Sequence, residues 1–422
     1  MVKISVLSNG IRVVLEEIPY VRSISLGIWV KNGSVNESKE LNGISHYIEH
    51  MLFKGTKKRT AKDIAEEMDM VGGQINAYTT KEYTCYHTRT LDNHFDTALD
   101  VISDMFLNSN FDDEDIKKEY NVILEEISMY EDAPEEIVHE ILQKEIWKDD
   151  SVGMPILGTK DTIENFNQKI FKEYLKDHYR TDNTVISVTG NFDSTEIIKK
   201  LEKAFGVLKV RKSNENLNQN VKYFPSIITK EKDIEQVHLI LAFPGINRED
   251  KRKYAYTIFN TIFGGGMSSE LFQRIREENG LTYSIYSYLS QYTDAGTFAI
   301  YAGMNPIQTS KVLKLIFEVI GEIKSKGISP DVLTKTKEQI ISNFIISNES
   351  IVNKMTNNGG SILLKGKIKT QEETIANIEK VSVEDVKNVI EELFDFEKLS
   401  IAAVGKIEDI NFKKIVAECL NA

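Results

Sequence analysis

Two histidines four residues apart, with a glutamate between them, are the feature of this sequence that most constrains it. They are His46 and His50, with Glu49, in the stretch Gly43–Phe53. Residues four apart lie above one another on a helix, so both imidazoles can point at one position. Two neutral imidazoles form half of a tetrahedral zinc site, and a carboxylate beside them can deprotonate a water there. The alternative is a surface helix that carries two of the chain's 7 histidines by coincidence.

The order His-x-x-Glu-His is the inverse of the commoner zinc-protease motif. The segments Gly43–His50 and Met51–Thr56 resemble the metal-binding helix of the pitrilysin/insulinase family of zinc metallopeptidases. The resemblance is greatest to the branch of mitochondrial processing peptidase and its bacterial homologues. It implies one Zn²⁺ per chain, bound in part by His46 and His50, and a zinc metalloendopeptidase in which Glu49 activates the water.

The resemblance also implies the substrate, which would be extended, unfolded peptides or presequence-like segments cleaved inside a closed chamber. Two other functions stay open. One is a non-catalytic scaffold or partner subunit of a processing-peptidase-like complex, because the family includes members that lost the zinc residues. The other is a different zinc hydrolase with the same ligands. Zinc content, followed by cleavage of an unstructured peptide, separates the three.

A pair of acidic residues lies on a long helix that is predicted to begin near Asp112. Glu119 and Glu126 are seven residues apart, which places them two turns apart on one face. Apolar Val122 and Ile123 lie between them, and a carboxylate in such surroundings is paired or bound, unless both are solvated helix charges. The segment resembles the family's second motif. By position, the resemblance makes Glu126 the third zinc ligand and Glu119 an additional catalytic acidic residue near the site.

The composition narrows the setting in which the chain works. Its formal net charge of −12 disfavours nucleic-acid binding. No apolar run reaches the roughly 18–20 residues that a membrane-spanning helix needs, and no signal or transit segment is visible. The only two cysteines, Cys85 and Cys419, suggest no disulfide framework. We therefore expect a cytoplasmic protein that binds neither membranes nor nucleic acid.

The 422 residues are enough for two domains, and the second half repeats the first in outline. The strand ending at Gly405 corresponds to the one ending at Gly190, and the helix from Pro330 to the one from Asp112. The predicted fold is α+β, with two homologous domains, each an antiparallel sheet flanked by helices, related by duplication. The domains are a catalytic zinc-binding domain at 1–210, a polar linker at 211–221 and a non-catalytic, substrate-binding domain at 222–422.

The second half lacks the metal motif and has Gly264–Gln273 in its place. After it, Arg276 and Tyr283 match, by position, the Arg and Tyr with which the family holds the bound peptide. An ordinary surface salt bridge is the alternative for Arg276. The charges at Glu270 and Arg274 are exchanged relative to the family pattern, which is compatible with a compensated surface pair.

The strand predicted at Gln74–Tyr78 is the expected place for the peptide. In the family the corresponding strand is an exposed edge beside the zinc helix, and a peptide adds to such an edge through backbone hydrogen bonds. The resemblance therefore assigns Asn76 and Ala77 to the lining around the scissile bond. The alternative is an internal strand, which would leave no edge free.

An acidic pair follows the second motif. Glu136 and Glu140 are four residues apart, so they share a face of a helix that restarts after Pro134. In the processing-peptidase branch, acidic residues at these positions contact a basic side chain near the cleaved bond. The resemblance thus predicts basic, unfolded peptides as substrates, with Arg or Lys close to the scissile bond. A solvated acidic helix surface is the alternative.

The family resemblance also bears on assembly. The full family clamshell encloses its chamber with four α+β units, and this chain supplies two, which is half of a clamshell. We therefore expect a homodimer. A heterodimer with a subunit of similar size is the alternative.

Overall fold

The computed structural model describes residues 2–148, 150–211 and 221–421. The linker predicted at 211–221 lies outside the described residues except for its two end positions. The chain forms two compact units, each built around one sheet. The first unit comprises the described residues of Met1–Ile127, Met154–Leu217 and Ile345–Ile368, and the second comprises those of Ser128–Gly153, Asn218–Phe344 and Lys369–Ala422.

The sheet of the first unit has six strands within the described residues, hydrogen-bonded in the order β1-β2-β6-β3-β5-β4. They are β1 (Val2–Val6), β2 (Arg12–Glu17), β3 (Ser23–Val30), β4 (Gln74–Thr79), β5 (Thr84–Leu91) and β6 (Thr184–Gly190). The sheet of the second unit has five described strands in the order β7-β11-β8-β10-β9. They are β7 (Ile227–Glu231), β8 (Val237–Pro244), β9 (Thr282–Gln291), β10 (Gly296–Met304) and β11 (Ser400–Gly405).

The α-helices of the described residues surround these sheets, and none of them is both long and apolar enough to cross a membrane. They are α1 (Ile44–Leu52), α2 (Ala61–Met70), α3 (Phe95–Asn108), α4 (Asp113–Asp132), α5 (Pro134–Ile146), α6 (Lys160–Ile163), α7 (Gln168–His178), α8 (Ser194–Phe205), α9 (Lys253–Gly264), α10 (Thr309–Lys326), α11 (Pro330–Ser347), α12 (Ile351–Lys365), α13 (Gln371–Glu379), α14 (Val383–Leu393) and α15 (Phe412–Asn421).

The two sheets share one topology, apart from β1, which has no counterpart among the described strands of the second. In the first sheet β6 pairs in parallel with β2, and in the second β11 pairs in parallel with β7. Both β6 and β11 follow a long helical segment. The other pairings are antiparallel. The predicted α+β fold is therefore confirmed, with one correction. The sheets are mixed, because the returning strand enters from a helical crossover and not from a hairpin.

Strand β3 organises the first unit because both of its faces are covered. Alternate side chains point to opposite faces of a strand. Ile24, Leu26, Ile28 and Val30 lie in one core with the apolar residues of α1. Trp29 faces the other way and packs in a second cluster with residues of α12. The alternation of β3 thus joins a helix from early in the chain to one from its last quarter.

Two helices lie in the unit opposite to the one that sequence position predicts. Helix α12, from the second half, packs on β6 and β3, and α5, from the first half, packs on β11 and β8. Polar contacts also hold α12, since Ser187 Oγ donates to the Met355 carbonyl at 2.9 Å and Asn358 donates to Glu16 at 2.7 Å. The boundaries at 1–210 and 222–422 follow the two sheets but miss this exchange, because an amphipathic pattern does not specify which sheet its apolar face will cover.

We expect the close approach of α12 to β3 to limit what position 359 tolerates. A Cβ on Gly359 would lie 2.3 Å from Trp29 Nε1, whereas one on the next residue, Gly360, would lie 3.7 Å from the nearest atom of Trp29. Gly359→Ala should lower the free energy of unfolding by roughly 1–3 kcal/mol through overpacking. The matched variant Gly360→Ala should be neutral or gain up to about 1 kcal/mol from helix propensity. Urea unfolding measures both, and equal stability of the two variants would contradict the packing.

Candidate metal centre

A buried carboxylate fixes the start of α1. Gly43 precedes the helix with a left-handed backbone, φ 94°, and a Cβ there would lie 2.6 Å from the Leu157 carbonyl oxygen. The Glu37 carboxylate accepts the N–H of Gly43 at 2.7 Å and that of Ser45 at 2.9 Å. It satisfies N–H groups that a helix start leaves without partners, and its charge suits the helix dipole. Burial raises the pKa of Glu37, against the opposing effect of these hydrogen bonds.

The apolar side chains of α1 anchor it in the core of the first unit. These buried residues are Ile44, Tyr47, Ile48, Met51 and Leu52. The helix therefore cannot turn about its own axis without exposing them. This packing holds His46, Glu49 and His50 in fixed directions.

His46 and His50 meet Glu126, which α4 supplies. The Nε2 atom of each imidazole lies 3.6 Å from Glu126 Oε2, and the three donor atoms lie within 4.8 Å of one another. A separation of 3.6 Å is too long for a good hydrogen bond. It is close to the separation of about 3.3–3.4 Å between two tetrahedral ligands whose bonds to zinc are about 2.0–2.1 Å. Burial, with a smaller effect of His50, lowers the pKa of His46 to about 3, so its imidazole is neutral. The residues therefore fit a bound Zn²⁺.

Glu119 contacts His50 on the side of its ring away from Glu126. Its buried carboxylate accepts a hydrogen bond from His50 Nδ1 at 2.8 Å and lies 2.5 Å from Lys54 Nζ. Burial raises the pKa of Glu119, but the hydrogen bonds from His50 and Lys54 outweigh it and leave the pKa below its ordinary value. Of its two apolar neighbours, Ile123 is buried and Val122 is 49% exposed. The carboxylate is thus paired, as the sequence predicted.

Glu49 lies on α1 between the two histidines. Thr79 Oγ1, at the end of β4, donates to Glu49 Oε2 at 2.5 Å. Burial raises the pKa of Glu49, while this hydrogen bond lowers it by a smaller amount. The carboxylate therefore has one oxygen engaged and lies beside the face that carries the metal-binding atoms.

Strand β4 is the terminal strand of its sheet, so one edge is free of a strand partner in the described part of the chain. It packs beside α1. Asn76 is exposed and Ala77 half-buried, and the Ala77 N–H donates to Asn76 Oδ1 at 2.8 Å. The alternative of an internal strand is therefore wrong, and β4 has the position that peptide addition requires.

In the second unit, Arg276 and Tyr283 are in contact. The Arg276 guanidinium lies between two rings, 4.6 Å from the centroid of Phe272 and 5.2 Å from that of Tyr283. Tyr283 is 75% exposed. Arg276 also approaches Glu277 at 3.8 Å, a weak surface pair. The cation–π contacts, rather than that pair, hold the guanidinium.

Arg274, where the charge is exchanged relative to the family pattern, has acidic partners other than Glu270. Arg274 pairs with Glu278 at 3.4 Å and Glu322 at 3.1 Å. No ion pair joins it to Glu270 within the described residues. The charge of Arg274 is thus compensated by Glu278 and Glu322.

The acidic pair lies on α5, which begins at Pro134 as expected. Glu136 is exposed and Glu140 is half-buried. His139 of α5 contacts the sheet of the second unit, where its Nδ1 lies 2.6 Å from the hydroxyl of Tyr288 on β9. The four-residue spacing thus holds on a rigidly packed helix.

The sequence analysis missed three residues that support this centre through α1, Glu119 or Glu49. Glu37 carried a detectable signal, since an acidic residue before a helix often caps it. Lys54 carried a weaker one, because it follows His50 by four residues. Thr79 carried none, since only the folded sheet brings it to Glu49.

Comparison with known proteins places these features in a family. Residues 12–160 match the family model described as "Insulinase (Peptidase family M16)", and residues 165–340 match the one described as "Peptidase M16 inactive domain". The chain is 44% identical to "Uncharacterized zinc protease YmxG" of Bacillus subtilis, over 93% of this chain and 96% of that relative. It is 36% identical to "Uncharacterized zinc protease SCO5738" of Streptomyces coelicolor, over 97% and 90% of the two chains.

A solved structure shares the fold. The crystal structure of a peptidase M16 inactive domain from Pseudomonas fluorescens superposes with a TM-score of 0.89 at 20% identity, covering 96% of this chain and 98% of that one. The narrower assignment to the processing-peptidase branch stays a prediction. The family models and the extent of identity to the two zinc proteases establish that the chain belongs to the insulinase family of peptidases, M16.

Proposed function

We propose that the chain is a zinc metalloendopeptidase that binds one Zn²⁺ through His46, His50 and Glu126. The observation that carries the proposal is the convergence of these three donor atoms, from two packed helices, next to Glu49. The names of the relatives support zinc as the metal. When bound, Zn²⁺ would acidify a water molecule and polarise the peptide carbonyl.

The chain's own residues supply the proton transfers and the geometry. Glu49 is the proposed general base, which takes a proton from the attacking water and delivers it to the leaving amine. Glu119 is better described as a positioning residue than as a catalytic one. Its hydrogen bond to His50 Nδ1 fixes the tautomer that leaves a lone pair on Nε2, the atom that faces Glu126.

The proposed substrate is an extended, unfolded peptide that adds to the free edge of β4 as a further strand. Asn76 and Ala77 would then lie along the residues flanking the cleaved bond. Addition to this edge needs an extended segment with unpaired backbone N–H and C=O groups, which most segments of a folded protein lack. Arg276 and Tyr283 are proposed to contact the same peptide inside a closed chamber.

A homodimer is the proposed assembly, since one chain supplies two of the four units of the family clamshell. A heterodimer with a similar subunit is the alternative. Sedimentation velocity of the purified chain decides between them. A species of twice the 48.1 kDa chain mass supports the homodimer, and a fully active monomer contradicts it.

Two substitutions separate metal binding from proton transfer. His50→Ala removes a ligand, so most of the zinc should be lost, as measured by elemental analysis of the purified protein. Glu49→Gln keeps all three ligands, so zinc should stay at about one per chain. Its peptidase activity should be almost abolished because the base is gone. Full zinc occupancy in His50→Ala would reject the ligand assignment. Substantial turnover by Glu49→Gln would reject the base.

The positioning role of Glu119 has a matched control on the same helix. Glu119→Gln should weaken zinc binding by about 10- to 100-fold in a chelator competition, the range for losing a partner of a ligating histidine. Glu125→Gln removes an exposed carboxylate six residues further on and should leave the affinity unchanged. Equal affinities in the two variants would show that Glu119 does not support the metal site.

The acidic pair on α5 is proposed to bind a basic side chain near the scissile bond. The double variant Glu136→Gln/Glu140→Gln should lower kcat/KM for an Arg-containing peptide by roughly 10-fold or more, as expected when a charge contact of about 1.5–3 kcal/mol is lost. An otherwise identical peptide with Ala in place of Arg should be nearly unaffected. Equal slowing of the two peptides would contradict charge recognition at these positions.

A further inference from the structure

Thr79 joins the peptide-binding edge to the proposed base. It is the last residue of β4, and its hydroxyl donates to Glu49 Oε2 at 2.5 Å. Glu49 Oε1 has no hydrogen-bond partner among the described residues. One oxygen of the carboxylate is therefore held by the sheet and the other is left for proton transfer.

A buried polar network lies beside the Thr79 hydroxyl. Its oxygen lies 3.3 Å from that of Thr84, whose own hydrogen is donated to the Asn32 carbonyl at 2.9 Å. The side chain of Asn32 donates to Ser45 Oγ at 3.0 Å, and Ser45 belongs to α1. Thr84, Asn32 and Ser45 are fully buried. The hydrogen of Thr84 is engaged, so Thr84 Oγ1 can only accept from Thr79; the shorter contact, 2.5 Å to Glu49 against 3.3 Å to Thr84, makes Glu49 the main acceptor of the Thr79 hydrogen.

The contacts run from α1 through Asn32, Thr84 and Thr79 and return to α1 at Glu49. They therefore tie the helix that carries the metal-binding histidines to the strand at the sheet edge. Buried hydroxyl and amide groups of this kind are costly to leave unpaired, so the arrangement resists displacement. The position of the Glu49 carboxylate is thus set by β4 as well as by α1.

We propose that Thr79 is a positioning residue that orients Glu49, so that Oε1 receives the proton of the attacking water. This inference rests on the proposed peptidase function. A peptide that adds to β4 takes its register from the strand that also holds the base. The base and the scissile bond are thereby aligned by the same strand, which matters because a displacement of about 1 Å can cost about 100-fold in rate.

The test compares Thr79→Val, which removes the hydroxyl at nearly constant shape, with Thr79→Ser, which keeps it. We expect Thr79→Val to lower kcat by about 10- to 100-fold with KM within about twofold, and Thr79→Ser to stay within about threefold of the original chain. Zinc content and the binding of a labelled peptide to the zinc-free protein should be unchanged in both. A purely structural role would instead weaken that peptide binding.

Thr90→Val is the matched control. Thr90 lies on β5 and is buried, and its hydroxyl has no hydrogen-bond partner among the described residues. The Thr90→Val variant should therefore have the same kcat as the original chain. Thr79→Ala, which only removes atoms, replaces Thr79→Val if the valine variant does not fold. An unchanged kcat in the hydroxyl-free variant, or equal loss in Thr79→Ser, overturns the inference. If the original chain cleaves no peptide, the proposed function itself fails.

Discussion

The burial of the apolar side of α1 in the core of the first unit is the constraint on which the rest of the site depends. A helix of nine residues is not stable alone in water. Each large apolar side chain that it buries contributes about 1.5–3 kcal/mol, and Glu37 compensates its first N–H groups. Because the apolar side is fixed, the polar side has one orientation, and His46 and His50 present their Nε2 atoms to α4 without further adjustment.

The sequence predicts the parts of the site that depend on local spacing. His46, His50, Glu119 and Glu126 follow from helical periodicity, which places residues four or seven apart on one face, and from the resemblance that the motifs carry. Thr79 could not be found in this way, because its contact with Glu49 depends on how β4 packs beside α1. Sequence spacing therefore predicts which residues share a face of one element, but it does not predict contacts between elements.

Prediction of the fold from the sequence is limited in the same way. The pattern of each half predicts its sheet, since every described pairing joins two strands of the same half. It does not predict that α5 and α12 exchange units or that β6 pairs in parallel with β2, because both depend on long-range partners. Gly27 and Gly359 show the missing information, since a Cβ on either would clash with residues across the β3–α12 contact. Each glycine is individually unremarkable in the sequence, and only their pairing in space specifies that contact.

The duplication separates what the fold requires from what the chemistry requires. Helix α9 follows β8 as α1 follows β3, and it also buries an apolar face, including Phe259 and Phe263. It carries no His, Cys, Asp or Glu. The apolar side of this helix is thus present in both units, whereas the candidate metal ligands found among the described residues lie in the first. Because the polar side contributes little to the core, ligands can be lost from it without loss of the fold. Two units of one topology can therefore differ in chemistry while each keeps a complete core.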